Sequence, residues 1–358
     1  MIRVLALPRY ELLGASSRLR FYQYLPYLQQ AAGFQIQTEP LLSNAYVQAL
    51  YRDDLPKDRG AIVRTYAKRM ALLRRAHKEF DLVWMEKEAF PYAPAWGERL
   101  LNRNGMPYVV DYDDATFHQY DSHRRPQIRR LLGGKIAEVM RRSAIVIAGN
   151  RYLADYALGN GASRVEYLPT AVDLSQYASA EHSKEEGFTI GWIGTPLTAA
   201  YLETSRAALT QIWQASGCSL RFVGAGTMDW SQPRPDVRPW SEETEVEEIR
   251  RFSVGIMPLP DAPFERGKCG YKLIQCMACG VPVVASPVGV NRTLIRHGEN
   301  GFLAETDAEW VEALECLRDD PLLRFRMGEA ARRTVEHEFC TEVTAPRLAS
   351  LLTAAATR

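Results

Sequence analysis

Two doubly wound α/β domains in tandem are what this sequence predicts, on three observations. Short β-branched runs alternate with helical stretches through the first half, the alternation restarts after an acidic, turn-rich segment, and small-residue turns stand where strands give way to helices. A chain of 358 residues is too long for one ordinary domain, and its 46% hydrophobic and 24% charged content is a globular balance rather than a disordered or fibrous one.

In the first half, strands are expected at residues 2–7, 34–39, 82–86, 108–112, 144–148 and 164–168. Helices are expected between them at 17–30, 62–79, 93–102, 128–142 and 151–158. The segment 175–187 (SQYASAEHSKEEG) reads as a linker, after which strands fall at 188–193, 220–223, 254–258, 281–285 and 301–303. Helices of the second half are expected at 199–215, 243–252, 271–278, 291–297, 307–319 and 321–338, with a last one near 342–353. The expected domains are therefore 1–174 and 175–340. Ligands of such sheets bind beyond the carboxyl ends of the strands, so a cleft between the domains is the expected site.

Net charge is only +1, but its distribution is uneven. Up to Asn150 there are 23 basic and 15 acidic residues, and from Arg151 onward 21 basic and 28 acidic. The positive charge gathers in 57–78 and 123–143, both helical in pattern with apolar residues interleaved. Peripheral contact with an anionic membrane surface fits that pattern, and a pair of ordinary solvated helix faces fits it equally. No recognition module accompanies the charge, which argues against nucleic acid as a partner. There is no run of about 18 apolar residues and no basic start followed by an apolar stretch, so a cytoplasmic protein is expected, with the inner membrane face as its one membrane contact. Six cysteines, all in the second half, suit a reducing compartment.

The motifs stand at strand ends. After the first strand, Gly14, Ala15, Ser16 and Ser17 form a small-residue turn that lets a backbone approach a ligand and supplies a helix cap. After the fourth, VVDYDDATFH places Asp111, Asp113 and Asp114 together, with His118 close behind. Alternation puts Asp111 and Asp113 on one face. Three acids so close need hydroxyls, cations or a metal to share their charge, and hydrogen bonding to sugar hydroxyls or helix capping is preferred over a metal. At the first strand of the second half, FTIGWIGTPLT brings Gly191, Gly194 and Thr195 to a turn, with Thr195 or Thr198 as cap. It has neither the glycine spacing of a dinucleotide fingerprint nor a Walker A lysine, which argues against a dehydrogenase and a P-loop kinase.

The richest segment is 265–286, ERGKCGYKLIQCMACGVPVVAS. A helix should begin near Gly270 or Tyr271 and stop at Gly280, because glycine adopts the left-handed C′ conformation and Pro282 cannot continue a helix. Lys268 and Lys272 flank its start, where the dipole disfavours cations and an anion between them would reverse the sign. Cys276 and Cys279 have a CxxC spacing, but within an amphipathic helix and without a second ligand pair they read as core.

Over most of the chain these residues resemble the retaining glycosyltransferases of family 4, which have the GT-B fold of two Rossmann-like domains facing across a cleft. The resemblance is carried by the Gly14 to Ser17 turn, AGNRYLADYA, YLPTAVDLSQY, the GWIGTP turn, and above all KLIQCMACGVPVVASPVGVNRTLIRHGENGFL. It implies metal-independent transfer of a sugar from a nucleotide-diphosphate donor, with retention at the anomeric carbon, and no cofactor beyond the donor substrate. It also implies that the last helix, about 341–358, returns to the first domain.

The family block carries two glutamates eight positions apart, and here those positions are Gly267 and Gln275. The resemblance therefore leaves Gln275 to the ribose, Glu265 to the donor sugar if the loop is offset by two residues, and Arg266, Lys268 and Lys272 to the diphosphate. Gly14, Ala15, Ser16, Gly194, Thr195, Gly270 and Tyr271 complete the expected donor site. The family histidine aligns best with Asp113, so acceptor or sugar contacts are expected of Asp113 and Asp114, and Asp113, Asp114, His118 and Glu265 are the expected catalytic residues. A glycan or lipid-linked acceptor in cell-surface polysaccharide or glycolipid synthesis is the expected partner. The rivals are a nucleotide-sugar epimerase and a non-catalytic nucleotide-sugar-binding subunit.

Overall fold

A computed structural model of the chain describes residues 1–30, 33–51, 59–177 and 187–357. It divides into two compact units: Met1–Thr170 with Gly267–Cys269 and Thr341–Arg358, and Ala171–Arg266 with Gly270–Cys340. Most of the linker, and the first residues of the basic run that starts at Lys57, lie outside the described residues.

The first unit is built on a six-stranded parallel sheet in the order β2-β1-β3-β4-β5-β6. Its strands are β1 (Ile2–Leu7), β2 (Phe34–Thr38), β3 (Leu82–Glu86), β4 (Tyr108–Tyr112), β5 (Ile145–Ala148) and β6 (Val165–Tyr167). The central strands β3, β4 and β5 are buried at every position, as a parallel sheet covered on both faces requires. Phe21 stacks on Trp84 with ring centroids 4.1 Å apart. The C-terminal helix Thr341–Ala356 joins the same core through Ala345, Leu348, Leu352 and Ala355, whose spacing of three and four places them on one face. Strand order reverses between β1 and β3, which makes that point the topological switch.

The second unit has its own six-stranded parallel sheet, ordered β12-β11-β10-β7-β8-β9. Its strands are β7 (Thr189–Ile193), β8 (Ser219–Val223), β9 (Asp236–Arg238), β10 (Val254–Met257), β11 (Val283–Ala285) and β12 (Gly301–Leu303). The switch lies between β7 and β10. The helix Tyr271–Ala278 starts from Gly270 in a left-handed conformation (φ 71°), and Gly280 just beyond its end is also left-handed (φ 69°). Between them Leu273, Ile274, Cys276 and Met277 face the core, worth about 1.5–3 kcal/mol for each fully buried large aliphatic side chain. Cys276 and Cys279 are part of that core, and burial pushes the Cys279 thiol up to about 12.

Several helices differ from expectation, each for a local reason. The single helix expected at 17–30 is a helix at Ala15–Arg20, a 3-10 turn at Tyr22–Tyr24 and a second helix at Leu25–Gln30. Pro26 has no N–H to give to the turn before it, which breaks the run. The helix expected at 128–142 is split into Pro126–Leu132 and Lys135–Arg142 by Gly133 and Gly134, where a Cβ on Gly133 would lie 2.4 Å from the Arg129 carbonyl oxygen. Among the described residues no helix is long and apolar enough to cross a membrane.

Candidate functional site

In the second unit, residues from three places meet at the β7/β10 switch. Thr195 caps the short helix Pro196–Ala199, its N–H donating to Thr198 Oγ1 at 3.1 Å. Lys272, in the first turn of Tyr271–Ala278, donates from Nζ to the same Thr198 Oγ1 at 3.0 Å. Its ammonium also stands over the Trp192 ring, 4.1 Å from the centroid. A Cβ on Gly194 would lie 2.4 Å from Lys272 Nζ and 2.5 Å from the Trp192 ring, so the lysine reaches this place only because residue 194 is glycine. Gly224, left-handed at φ 75°, closes the other side, where its own Cβ would meet the Gly194 carbonyl oxygen at 2.2 Å. Thr198, Trp192 and Gly224 thus join the expected Gly194, Thr195 and Lys272.

The remaining expectations for this unit fare differently. Glu265 accepts a 2.6 Å hydrogen bond from the Tyr201 hydroxyl. Arg266 is exposed and forms a two-pronged pair with Asp261 at 2.6 and 3.1 Å. Gln275, expected at the ribose, is instead 3% exposed and donates from Nε2 to the Tyr177 hydroxyl at 3.2 Å. It lies one turn down the inward face of its helix.

In the first unit a charged cluster occupies the β1/β3 switch. Ser17 Oγ donates to Glu86 Oε2 at 2.5 Å, and the Arg9 N–H donates to the same oxygen at 2.7 Å. Ser17 also accepts from the Tyr10 N–H at 2.9 Å, so the Gly14 to Ser17 turn is tied to the ends of both β1 and β3. Gly14 permits this fold-back, since a Cβ there would meet Tyr10 Cβ at 2.3 Å. Ala15 is exposed at the helix start. Ser16 faces Lys87, whose Nζ lies 3.4 Å from its hydroxyl oxygen.

Lys87 was not among the expected site residues. It follows β3 with φ 60°, a left-handed conformation that costs a non-glycine residue about 1–3 kcal/mol. Its Nζ lies 2.8 Å from Asp113 and 3.9 Å from Asp114. Burial opposes ionisation of Asp113, but the Lys87 charge and hydrogen bonds from Lys87 and Ser16 outweigh it and hold the carboxyl below its usual range. Asp114 is pushed the other way, by burial and by the charge of Asp113. The signal was present in the sequence as the charged triplet Glu86, Lys87, Glu88 ending an apolar strand.

Asp111, expected on the same face as Asp113, has a different cation. It forms a buried pair with Arg20, Nε to Oδ1 at 2.7 Å, both side chains 1% exposed. Burial is the larger influence on its carboxyl, which is pushed up to about 6 against the pull of Arg20. His118 has both ring nitrogens engaged, Nδ1 with Asp121 at 3.0 Å and Nε2 with the Tyr152 hydroxyl at 2.8 Å. Lys268 belongs with this unit, its Nζ 3.9 Å from Asp114 and its carbonyl accepting from Asn150 at 3.0 Å. Gly267 beside it, where the resembled family carries a glutamate, has no room for a side chain, since a Cβ there would lie 2.4 Å from Ala115 Cβ and 2.7 Å from Ala115 N. Among the described residues no group of three or more metal-ligating side chains is gathered.

Residues 188–320 match a family model described as Glycosyl transferases group 1. Similar curated proteins include N-acetyl-alpha-D-glucosaminyl L-malate synthase of Bacillus anthracis, 40% identical over 81 residues, which are 22% of this chain and 21% of that one. D-inositol 3-phosphate glycosyltransferase of Pseudarthrobacter chlorophenolicus is 39% identical over 85 residues, 23% of this chain and 19% of that one. The matched part thus spans about a fifth of each of these relatives. In structure, the chain resembles Anabaena Alr3699/HepE in complex with UDP-glucose, with a TM-score of 0.74 and 17% identity over 99% of this chain and 100% of that one. A sucrose-phosphate synthase from Thermosynechococcus elongatus gives 0.72 and 16%, covering 98% of each chain. The fold is GT-B, two Rossmann-like α/β domains.

Proposed function

We propose that the protein is a glycosyltransferase that moves a sugar from a nucleotide-diphosphate donor to a hydroxyl-bearing acceptor. The observation that carries this reading is the match of residues 188–320 to the group 1 glycosyl transferases, a stretch that contains the whole β7/β10 cluster. Lys272, which the missing side chain of Gly194 lets lie against the β7 turn, is the cation placed to take up the charge of the leaving group. The start of the helix at Tyr271 adds the positive end of its dipole. Glu265, held by Tyr201, is assigned to the donor sugar.

Asp113 and Asp114, with Lys87 between them, are assigned to hydroxyls of the acceptor or the transferred sugar. Retention at the anomeric carbon is part of the proposal, as is an acceptor in surface polysaccharide or glycolipid synthesis. Basic residues and the exposed Ile62 and Val63 on the helix Arg59–Glu79 support a peripheral contact with an anionic membrane. A putative UDP-N-acetylglucosamine 2-epimerase from Listeria monocytogenes has a similar fold at a TM-score of 0.60, so fold by itself does not separate transfer from epimerisation. The family match favours transfer.

A thermal-shift screen with UDP, GDP and ADP tests the donor site. One of the three is expected to raise the unfolding midpoint in proportion to the logarithm of its concentration, as binding to the native state alone requires. No shift with any of them, at concentrations that saturate ordinary nucleotide-sugar enzymes, removes the assignment.

A further inference from the structure

Lys87 stands at the first sheet's switch point, only 6% exposed, in a backbone conformation that its side chain does not favour. Two neighbours on β4 hold it there. Its N–H donates to the Asp111 carbonyl at 3.1 Å, and its own carbonyl accepts from the Tyr112 hydroxyl at 2.6 Å. The ammonium is thereby surrounded by Asp113 at 2.8 Å, Asp114 at 3.9 Å, Glu86 at 4.0 Å and the Ser16 hydroxyl at 3.4 Å. Three carboxylates face one lysine.

Nearby, Arg20 pairs with Asp111, Lys268 also approaches Asp114 at 3.9 Å, and Glu86 accepts from the Arg9 backbone N–H. A strained backbone kept at a residue that gathers three acids points to a use that packing does not supply, since strain of this kind clusters at functional sites.

We propose that Lys87 is a positioning residue for sugar transfer: its ammonium fixes Asp113 and Asp114 in the arrangement that receives a substrate hydroxyl. The inference rests on the transferase reading. Without the ammonium, the carboxylates repel one another in a partly buried cluster whose Asp114 side chain is 31% exposed, and protons bind to relieve the repulsion. The opposite displacements of Asp113 and Asp114 agree with this, one carboxyl held ionised and the other prone to protonation. The three carboxylates outweigh burial and raise the affinity of Lys87 for its own proton, so it stays charged through the working pH range.

The test compares wild type with Lys87→Met, Lys87→Arg and the double variant Lys87→Met/Asp113→Asn. It has two readouts, the pH dependence of kcat/KM for transfer and the carboxyl titration followed by NMR of aspartate-labelled protein. In Lys87→Met the acidic limb of kcat/KM and the carboxyl titration should both move up by about one pH unit or more, with kcat/KM at neutral pH down by about tenfold or more. Lys87→Arg should restore the limb. The double variant, having lost one charge of each sign, should return the Asp114 titration towards wild type. A folded Lys87→Met protein with both titrations in place overturns the proposal, as does a moved carboxyl titration with an unmoved limb. Should Lys87→Met fail to fold, a displaced limb in Lys87→Arg counts against the proposal and a wild-type limb supports it. A wild-type protein that transfers no sugar, while its carboxyl titration still responds to Lys87→Met, overturns the transferase reading and the positioning role with it.

Discussion

Lys272→Ala weakens binding of the preferred nucleoside diphosphate by about 10- to 150-fold, the equivalent of one lost charge-assisted hydrogen bond of about 1.5–3 kcal/mol. The expectation follows from placement rather than from charge alone. Lys272 is held at the β7/β10 switch by Thr198 and by the face of Trp192, in the space that the absence of a side chain at Gly194 leaves to it. Because the ammonium also rests on an aromatic face, its removal takes about 0.5–2 kcal/mol of stability as well. Affinity is therefore to be measured by calorimetry well below the unfolding midpoint. Lys272→Arg should recover part of the binding, since the charge persists but the longer planar head must share the pocket with Trp192. Undiminished affinity in Lys272→Ala would detach the diphosphate from this cluster.

Arg20→Met destabilises the first unit by about 3–5 kcal/mol, the cost of leaving a buried carboxylate without its cation. Asp111 and Arg20 are both 1% exposed, and Arg20 also donates from Nη1 to the Leu168 carbonyl at 3.0 Å. The loss should depend on pH in a defined sense. In the variant, Asp111 keeps the burial that already raises its carboxyl to about 6 and loses the guanidinium that opposes it. Its folded value then lies further above the unfolded value of about 4, so the folded state binds the proton more tightly. The penalty is therefore small while Asp111 is protonated in both folded proteins, below about pH 6, and grows as pH rises from there towards the variant's higher folded value. Urea midpoints of wild type and Arg20→Met should diverge as pH increases, and Arg20→Met/Asp111→Leu should recover most of the loss at neutral pH. A penalty independent of pH would mean that the guanidinium acts through packing and its bond to Leu168.

The alternation of strands and helices was legible because parallel strands buried on both faces leave apolar, β-branched runs with clear edges, as in β3 and β4. Strand β9 was less so, since Asp236–Arg238 is three residues long and carries charge at both ends. The second unit's cluster was half visible: Gly194, Thr195 and Lys272 announce themselves by turn chemistry and helix position, whereas Trp192 reads only as a core residue until its ring is seen beneath the ammonium. Charge pairing was the least legible part. The sequence shows Asp111, Asp113 and Asp114 together, but Arg20 is 91 residues away from Asp111 and Lys87 comes from a neighbouring strand. The partners of Gln275 and His118 were hidden for one reason: a polar side chain in a sequence does not reveal that it meets a buried tyrosine such as Tyr177, or part-buried groups such as Asp121 and Tyr152. Gly267 shows the converse, a departure from the resembled family's acid at a place where Ala115 leaves no room for a side chain.

Sugar transfer itself is tested most directly by proton NMR of a nucleotide sugar incubated with the protein, the donor being chosen by the nucleotide that stabilises it. The account predicts slow release of nucleoside diphosphate with the anomeric configuration of the donor kept in the first-formed sugar, and faster release when a hydroxyl-bearing acceptor is supplied. An intact donor, or a donor whose sugar is epimerised while still attached to the nucleotide, would contradict it.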